Sequence, residues 1–201
     1  MPRTRLRPSP RAWAGLSVGL ALGALALWSV PRESLDWQPA LAWSQPWRLW
    51  TAAFVHLSPL HLQANLLGCA VVAAFGVVAR LPGHATWAWL AAWPLTHAAL
   101  VLQPLLLHYG GLSGLLHAGV AIAALQLAGR AHFRGRLIGW AVLAGLAAKL
   151  ALERAWVGPT QAVAGWDIPI APMAHLTGAV AGLLCAALAQ MIVHRSGPAP
   201  R

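Results

Sequence analysis

Apolar residues gather in six long runs, at residues 13–30, 61–79, 85–107, 112–128, 137–152 and 168–193. A helix of roughly 20 apolar residues crosses a hydrocarbon core, and most of the runs approach that length. The fourth and fifth are shorter, but each is closed by charges or by a glycine pair, so six elements describe the pattern better than five. Backbone groups in lipid must bond within their own segment, so the runs predict a single all-α bundle of six transmembrane helices. This bundle would occupy residues 13–193, between a basic tail at 1–12 and a short tail at 194–201. No internal repeat or low-complexity linker divides it.

Composition supports that picture, because 59% of the 201 residues are hydrophobic and only 9% are charged. A soluble domain carries roughly a quarter charged residues. The net charge of +10 would suggest nucleic acid in a soluble chain, where clustered cations neutralise phosphates. Here thirteen of the fourteen cations are arginines scattered between apolar runs, so a lipid bilayer is the expected partner and nucleic acid is not. Ten cations fall on the side of the amino terminus: Arg3, Arg5, Arg7, Arg11, Arg80, Arg130, Arg134, Arg136, Arg195 and Arg201. The other side receives Arg32, Arg48 and Arg154 together with all four acids, Glu33, Asp36, Glu153 and Asp167, and Lys149 lies just inside the fifth run near that face. The positive-inside rule then places both termini in the cytoplasm. A cleaved signal peptide is an alternative for the first run, which contains the triplet Ala24-Leu25-Ala26. Cys69 and Cys185 each lie inside a run and imply no disulfide framework. The long outer loop at 31–60 holds Trp37, Trp43, Trp47 and Trp50, which predicts that it lies at headgroup level.

Ionisable groups inside spans are costly and point to function. Counted from the nearest cytoplasmic arginine, Asn65, Ser113 and His175 lie 15, 17 and 20 residues away, from Arg80, Arg130 and Arg195. At about 1.5 Å per residue, that puts all three roughly 22–30 Å from the inner face, near the outer boundary. His61 stands one helical turn from Asn65 on the same face. Ser113 follows Tyr109-Gly110-Gly111-Leu112 and opens a helix, where free N–H groups favour developing negative charge. A plain N-cap serine is the structural alternative. His175 precedes Gly178 and Gly182, a spacing that lets another helix approach closely, and it could accept the Ser113 proton if the fourth and sixth spans meet. Equally, it could be a core histidine bonded to a carbonyl.

Together these pieces resemble the rhomboid family of intramembrane serine proteases. The matching residues are Trp47-Arg48 in the outer loop, His61-Leu62-Gln63-Ala64-Asn65 opening the second span, Gly111-Leu112-Ser113-Gly114 opening the fourth, and Ala174-His175 with Gly178 and Gly182 in the sixth. The resemblance implies a six-span rhomboid bundle with Ser113 as nucleophile and His175 as general base. It implies an oxyanion hole built from the His61 and Asn65 side chains and the Ser113 N–H, with Gly111, Gly114, Gly178 and Gly182 serving close packing. A serine activated by an adjacent base, and donors aimed at an oxyanion, agree with that chemistry. No acid is needed as a third member, none of the four acids lies within the runs, and no cofactor or metal is implied. Thr177 departs from the family pattern, which often has glycine there, and is expected to loosen the helix contact beside the base.

Within the family, three features look like the rhombosortase branch: a compact chain, His117 one turn below Ser113, and Lys149 and Glu153 four residues apart at the end of the fifth span. Many rhomboids carry an aromatic residue at the position of His117, so His117 is expected to support His175. Lys149 and Glu153 read equally as a boundary ion pair or as a substrate-reading pair. The branch implies a membrane-anchored protein substrate with a C-terminal tail of a Gly-Gly segment, an apolar helix and a basic end. Glycine destabilises helix where a scissile bond must unwind. It further implies a bacterial inner membrane with the site facing the periplasm. Alternatives are a general rhomboid protease for single-span proteins, a non-proteolytic client-binding relative, and a haem or metal protein using His56, His61, His117 and His175. His56, His84, His108, His132 and His194 read as interfacial, and His97 as bonded within the bundle.

Overall fold

The structure, a computed structural model, describes residues 9–195. Arg3, Arg5, Arg7 and Arg201, which contribute to the charge count, lie outside the described residues, as do residues 1–8 and 196–201 of the two tails. Among the described residues there are seven α-helices and no strand: α1 (Pro10–Ala26), α2 (Arg48–Thr51), α3 (Pro59–Val78), α4 (Gly83–Ala98), α5 (Ser113–Ala128), α6 (Phe133–Glu153) and α7 (Pro172–Arg195). Three of them, α3, α6 and α7, are long and apolar enough to cross a membrane. The chain is a multi-pass membrane protein with a helical core.

Local chemistry sets the helix ends. Proline occupies the first turn of α1 and α3, where its missing N–H removes no helical bond. The Ser58 hydroxyl accepts from His61 N at 3.1 Å to cap α3, and His132 Nδ1 accepts from Gly135 N at 3.0 Å to cap α6. Arg80 and Arg154 adopt left-handed φ values of 48° and 44° just past α3 and α6, turning the chain away from each helix. Several helices differ from the apolar runs. α6 extends four residues before the fifth run and one beyond it, to Glu153. α4 ends at Ala98, well short of residue 107; Pro94 lies near its end and a 3-10 turn at Ala99–Leu102 follows. α7 starts at Pro172, because Ile170 pairs instead with Gln161 in the preceding loop.

α5 sits at the centre and leans on α7, α6, α4 and α3. Its closest neighbour is α7, and glycines make that approach possible. A Cβ on Gly178 would strike the Gly114 carbonyl, and one on Gly182 would lie 2.6 Å from the Ala118 carbonyl. On the other side, Trp13 stacks on Trp89 at 4.4 Å, Trp13 Nε1 donates to Val72 O, and Ser17 Oγ donates to Cys69 O. These bonds tie α1 to α3 and pair polar atoms that lipid would leave unsatisfied. Trp89 Nε1 donates to Leu115 O, locking α4 onto α5. Thr177 does not loosen the α5–α7 contact: its hydroxyl donates to Ala174 O at 3.2 Å within its own helix, and the side chain is buried.

Because the obstacles facing Gly178 and Gly182 are backbone atoms, which cannot swing aside, Gly178→Ala and Gly182→Ala should each destabilise the protein by about 1–3 kcal/mol. Gly19→Ala on α1, where nothing lies within 4 Å, should be neutral or stabilise by up to about 1 kcal/mol. Thermal unfolding in detergent measures all three; equal shifts would contradict the packing account.

Candidate active site

Ser113 is the first residue of α5, and the loop before it is held tightly. Gly111 has φ +129°, a conformation that side chains rarely adopt, and a Cβ there would lie 2.7 Å from His61 Nε2. The Gly111 N–H donates to Ala52 O at 2.9 Å, and the Tyr109 hydroxyl donates to Gly111 O at 3.1 Å. α5 therefore begins abruptly, with the free N–H groups and positive dipole end of its first turn beside Ser113.

The Gly178 contact brings the first turn of α7 against the first turn of α5. His175 Nε2 and Ser113 Oγ are 3.0 Å apart. With the hydroxyl as donor, Nε2 accepts, so the proton of the neutral ring sits on Nδ1. His117 lies face to face with His175, ring centroids 4.2 Å apart and planes 13° from parallel. His117 Nδ1 donates to Ser113 O at 2.6 Å, so it is tied to the backbone and is not aimed at the hydroxyl.

The sequence calls for no acid as a third member and has none within the runs, yet the structure brings one from just past the fifth run to His175. Glu153 Oε2 lies 2.8 Å from His175 Nδ1, and Glu153 Oε1 accepts from Lys149 Nζ at 2.5 Å. The expected i,i+4 pair exists, yet one of its members also reaches the site. The sequence signal was depth: Glu153 ends α6 at the end of the bundle where Ser113 opens α5 and His175 stands near the start of α7. Its carboxylate is 17% exposed and Lys149 46%. The helix end is fixed by Gln161 Nε2, which donates to Glu153 O at 2.6 Å.

His61 and Asn65 lie on α3 across from Gly111, both buried. His61 Nδ1 accepts from Leu57 N at 3.3 Å, which leaves a proton on Nε2. That atom and Asn65 Nδ2 both face Gly111, and Asn65 Nδ2 has no partner among the described residues. Two donors thus stand beside the opening of α5. Ser113, His175, His61, Asn65, Lys149 and Glu153 share one cavity of about 1010 Å³ between α3, α5, α6 and α7, with largely apolar walls.

The outer loop is folded more firmly than its tryptophans imply. Trp37 is 1% exposed and exchanges backbone bonds with Tyr109, so it belongs to the core and not to the headgroup level; Trp43 is 95% exposed. Trp47 is half-exposed, while Arg48 is buried and bonds Asp36 O at 2.7 Å, Asp36 Oδ1 at 3.0 Å, Glu33 O at 2.9 Å and Gln45 Oε1 at 2.7 Å. Asp36 Oδ2 also accepts from His108 Nδ1 at 2.6 Å. Asp167, in the loop before α7, accepts from the Ser58 hydroxyl at 2.8 Å and ties that loop to the start of α3. His97 Nδ1 donates to Leu49 O within the bundle, as expected. His56 Nδ1 donates to Phe54 O, and burial pushes its pKa down, so it stands neutral in the loop instead of lying free at the interface. Among the described residues no group of three or more His, Cys, Asp or Glu side chains is placed to hold a metal ion.

The family model described as the Rhomboid domain matches residues 43–191. No curated protein matches the chain.

The guanidinium fork of Arg48 meets four acceptors, and removing it would take the buried cation from a buried carboxylate and leave that carboxylate to Gln38 and His108. Arg48→Ala should destabilise the protein by about 3–5 kcal/mol in thermal unfolding. Arg48→Lys should recover less than half of that, because a point charge cannot span the same acceptors.

Proposed function

The chain belongs to the rhomboid family, and from that premise we propose that it is an intramembrane serine endopeptidase with Ser113 as nucleophile and His175 as general base. The observation that carries this reading is the 3.0 Å contact between Ser113 Oγ and His175 Nε2 inside a large cavity. In the first step Ser113 Oγ bonds to the scissile carbonyl carbon while its proton passes to His175 Nε2. The oxygen that gains charge is met by His61 Nε2–H, Asn65 Nδ2–H and the Ser113 N–H, donors already in place before substrate arrives. Collapse breaks the C–N bond, and the amine leaves with the proton from His175. Water, deprotonated by the same nitrogen, then releases the acyl chain from Ser113. His117 stacks on the base and holds its plane.

The proposed topology has six spans, α1, α3, α4, α5, α6 and α7, within residues 13–193 and with both termini cytoplasmic. The positive-inside bias supports it and sets the site near the outer face. In a bacterial inner membrane that face is the periplasm. The substrate we propose is a secreted protein held by a C-terminal tail of a Gly-Gly segment, an apolar helix and a basic end, as in rhombosortases. The resemblance carries that assignment, and helix-breaking glycines fit a site that must receive extended backbone. The alternative is a general rhomboid protease for single-span proteins.

Purified protein in liposomes, offered both kinds of substrate, should cleave the Gly-Gly tail at least tenfold faster. Preference for the ordinary single-span substrate would remove the rhombosortase assignment, and failure to cleave either with folded protein would remove the protease reading in favour of client binding. Ser113→Ala and His175→Ala should each lower turnover by about 10³-fold or more, and Asn65→Ala by about 10²–10³-fold. His117→Ala should lose less than either; complete loss there with activity kept in His175→Ala would reverse the assignment of the base.

A further inference from the structure

The site contains a carboxylate that a serine–histidine pair does not require. Glu153 reaches it from α6, a helix that supplies neither the serine nor the histidine. Its Oε2 sits 2.8 Å from His175 Nδ1, on the opposite edge of the ring from the 3.0 Å contact with Ser113. One assignment of protons satisfies both: Ser113 O–H donates to Nε2, and Nδ1–H donates to Glu153. The opposite tautomer would set the Nδ1 lone pair against the carboxylate and turn Nε2 into a donor that cannot take the hydroxyl proton. We propose that Glu153 is a positioning residue for the proposed hydrolysis, a carboxylate third member that selects the reactive tautomer of His175 and stabilises its protonated form. This rests on the serine endopeptidase reading above.

Three further observations show a carboxylate held in place for this bond. Its other oxygen is occupied by Lys149 Nζ at 2.5 Å, one turn earlier on α6. The helix end that carries it is set by the left-handed φ of 44° at Arg154 and by Gln161 Nε2 on the Glu153 carbonyl at 2.6 Å. Third, His175 is 9% exposed and Glu153 17%, so water screens this contact far less than a surface pair. The four acids of the chain all sit on the outer side, yet within the cavity Glu153 alone among the described residues brings a carboxylate to the histidine. A solvated boundary pair with Lys149 would need none of the bond to Nδ1.

During attack the proton moves from Ser113 Oγ to His175 Nε2 and no further. Nδ1 keeps its own proton throughout, and Glu153 remains ionised, facing the positive ring that forms. The negative carboxylate therefore favours the charged intermediate over the resting ring, which lowers the barrier without Glu153 touching substrate. His117, against the face of His175, leaves the ring edge to Glu153, so plane and edge are fixed by different helices, α5 and α6.

The test measures kcat, KM, thermal stability and the rate at which a fluorophosphonate labels Ser113, in liposomes, for the wild type, Glu153→Gln, Glu153→Asp and Ser113→Ala, with Glu33→Gln as a control on an exposed acid. Glu153→Gln keeps the shape but not the charge; Glu153→Asp keeps the charge but retracts it by one methylene. For a positioning carboxylate, kcat and labelling rate fall together in the order wild type, Asp, Gln, with Gln about 10–10³-fold down and KM changed less than threefold. Amidating the buried carboxylate of a serine-protease triad, at about 10⁴-fold, sets the upper limit. A spacer role gives the reverse order, Gln above Asp, with losses in stability or KM, and would overturn the proposal. So would Gln kept within threefold of wild type for both kcat and labelling. In that case inert Ser113→Ala would leave the protease reading standing; wild type and Ser113→Ala equally inactive would instead remove that reading. Should Glu153→Gln not fold, Glu153→Asp and Lys149→Met decide: each should slow labelling at unchanged KM, and wild-type labelling in both would count against the role.

Discussion

Everything in the site hangs on the approach of α7 to α5, backbone against backbone. With no side chain at Gly178 or Gly182, the α7 backbone meets the Gly114 and Ala118 carbonyls. Helices in lipid gain nothing from excluding water between them, so association relies on close contact of this kind. The same contact sets a distance. Ser113 is one residue before Gly114, and His175 is three before Gly178, so bringing the two glycines together leaves serine and histidine side by side at 3.0 Å. The tie is rigid because both positions lie on regular helix, where a shift of one turn at the glycines would carry the base away from the hydroxyl.

A second constraint follows from burial. Inside an apolar bundle each polar group needs a partner, since leaving one bare is expensive. Most comply: Trp13, Ser17, Trp89 and His97 each bond a carbonyl on a neighbouring segment. Asn65 Nδ2 is one of six buried side-chain atoms without a partner among the described residues, and with His61 Nε2 it faces Gly111 at the opening of α5. In the proposed reaction, that is where a developing oxyanion would receive their bonds. Under that proposal the fold bears the cost of the open donor on Asn65 before substrate arrives, as preorganisation requires.

The glycine-flanked serine, the histidine beside a small-residue stripe, and the paired His61 and Asn65 could all be read from the chain, because each sits at a spacing that a regular helix converts directly into geometry. What depended on irregular backbone could not. Trp37 looks like its three neighbouring tryptophans, and only its backbone pairing with Tyr109 takes it into the core. The early end of α4 follows from a proline and a 3-10 turn, where apolarity alone continues to residue 107. Glu153 was visible as an ion-pair partner of Lys149, yet its direction depends on the left-handed turn at Arg154 and on the loop that returns as α7. Helical spacing says nothing about either. Shared depth was the available clue: an acid at the outer end of one helix and a histidine at the outer end of another can meet only if those ends converge.

That convergence links the parts of the site in an uneven way. α6 leans mainly on α5, where Gly139 lets it lie against Ala124 and Ala128, and it touches α7 far less. Its outer half faces the cavity, beyond which lies α3. The Glu153–His175 bond therefore joins α7 to an end of α6 that is set by Gln161 and the turn at Arg154, while Ser113 and His175 themselves sit on the backbone contact between α5 and α7. Ser113 and His175 are thus set by backbone packing that cannot yield, and the Glu153 carboxylate by its side-chain bonds to Lys149 and His175.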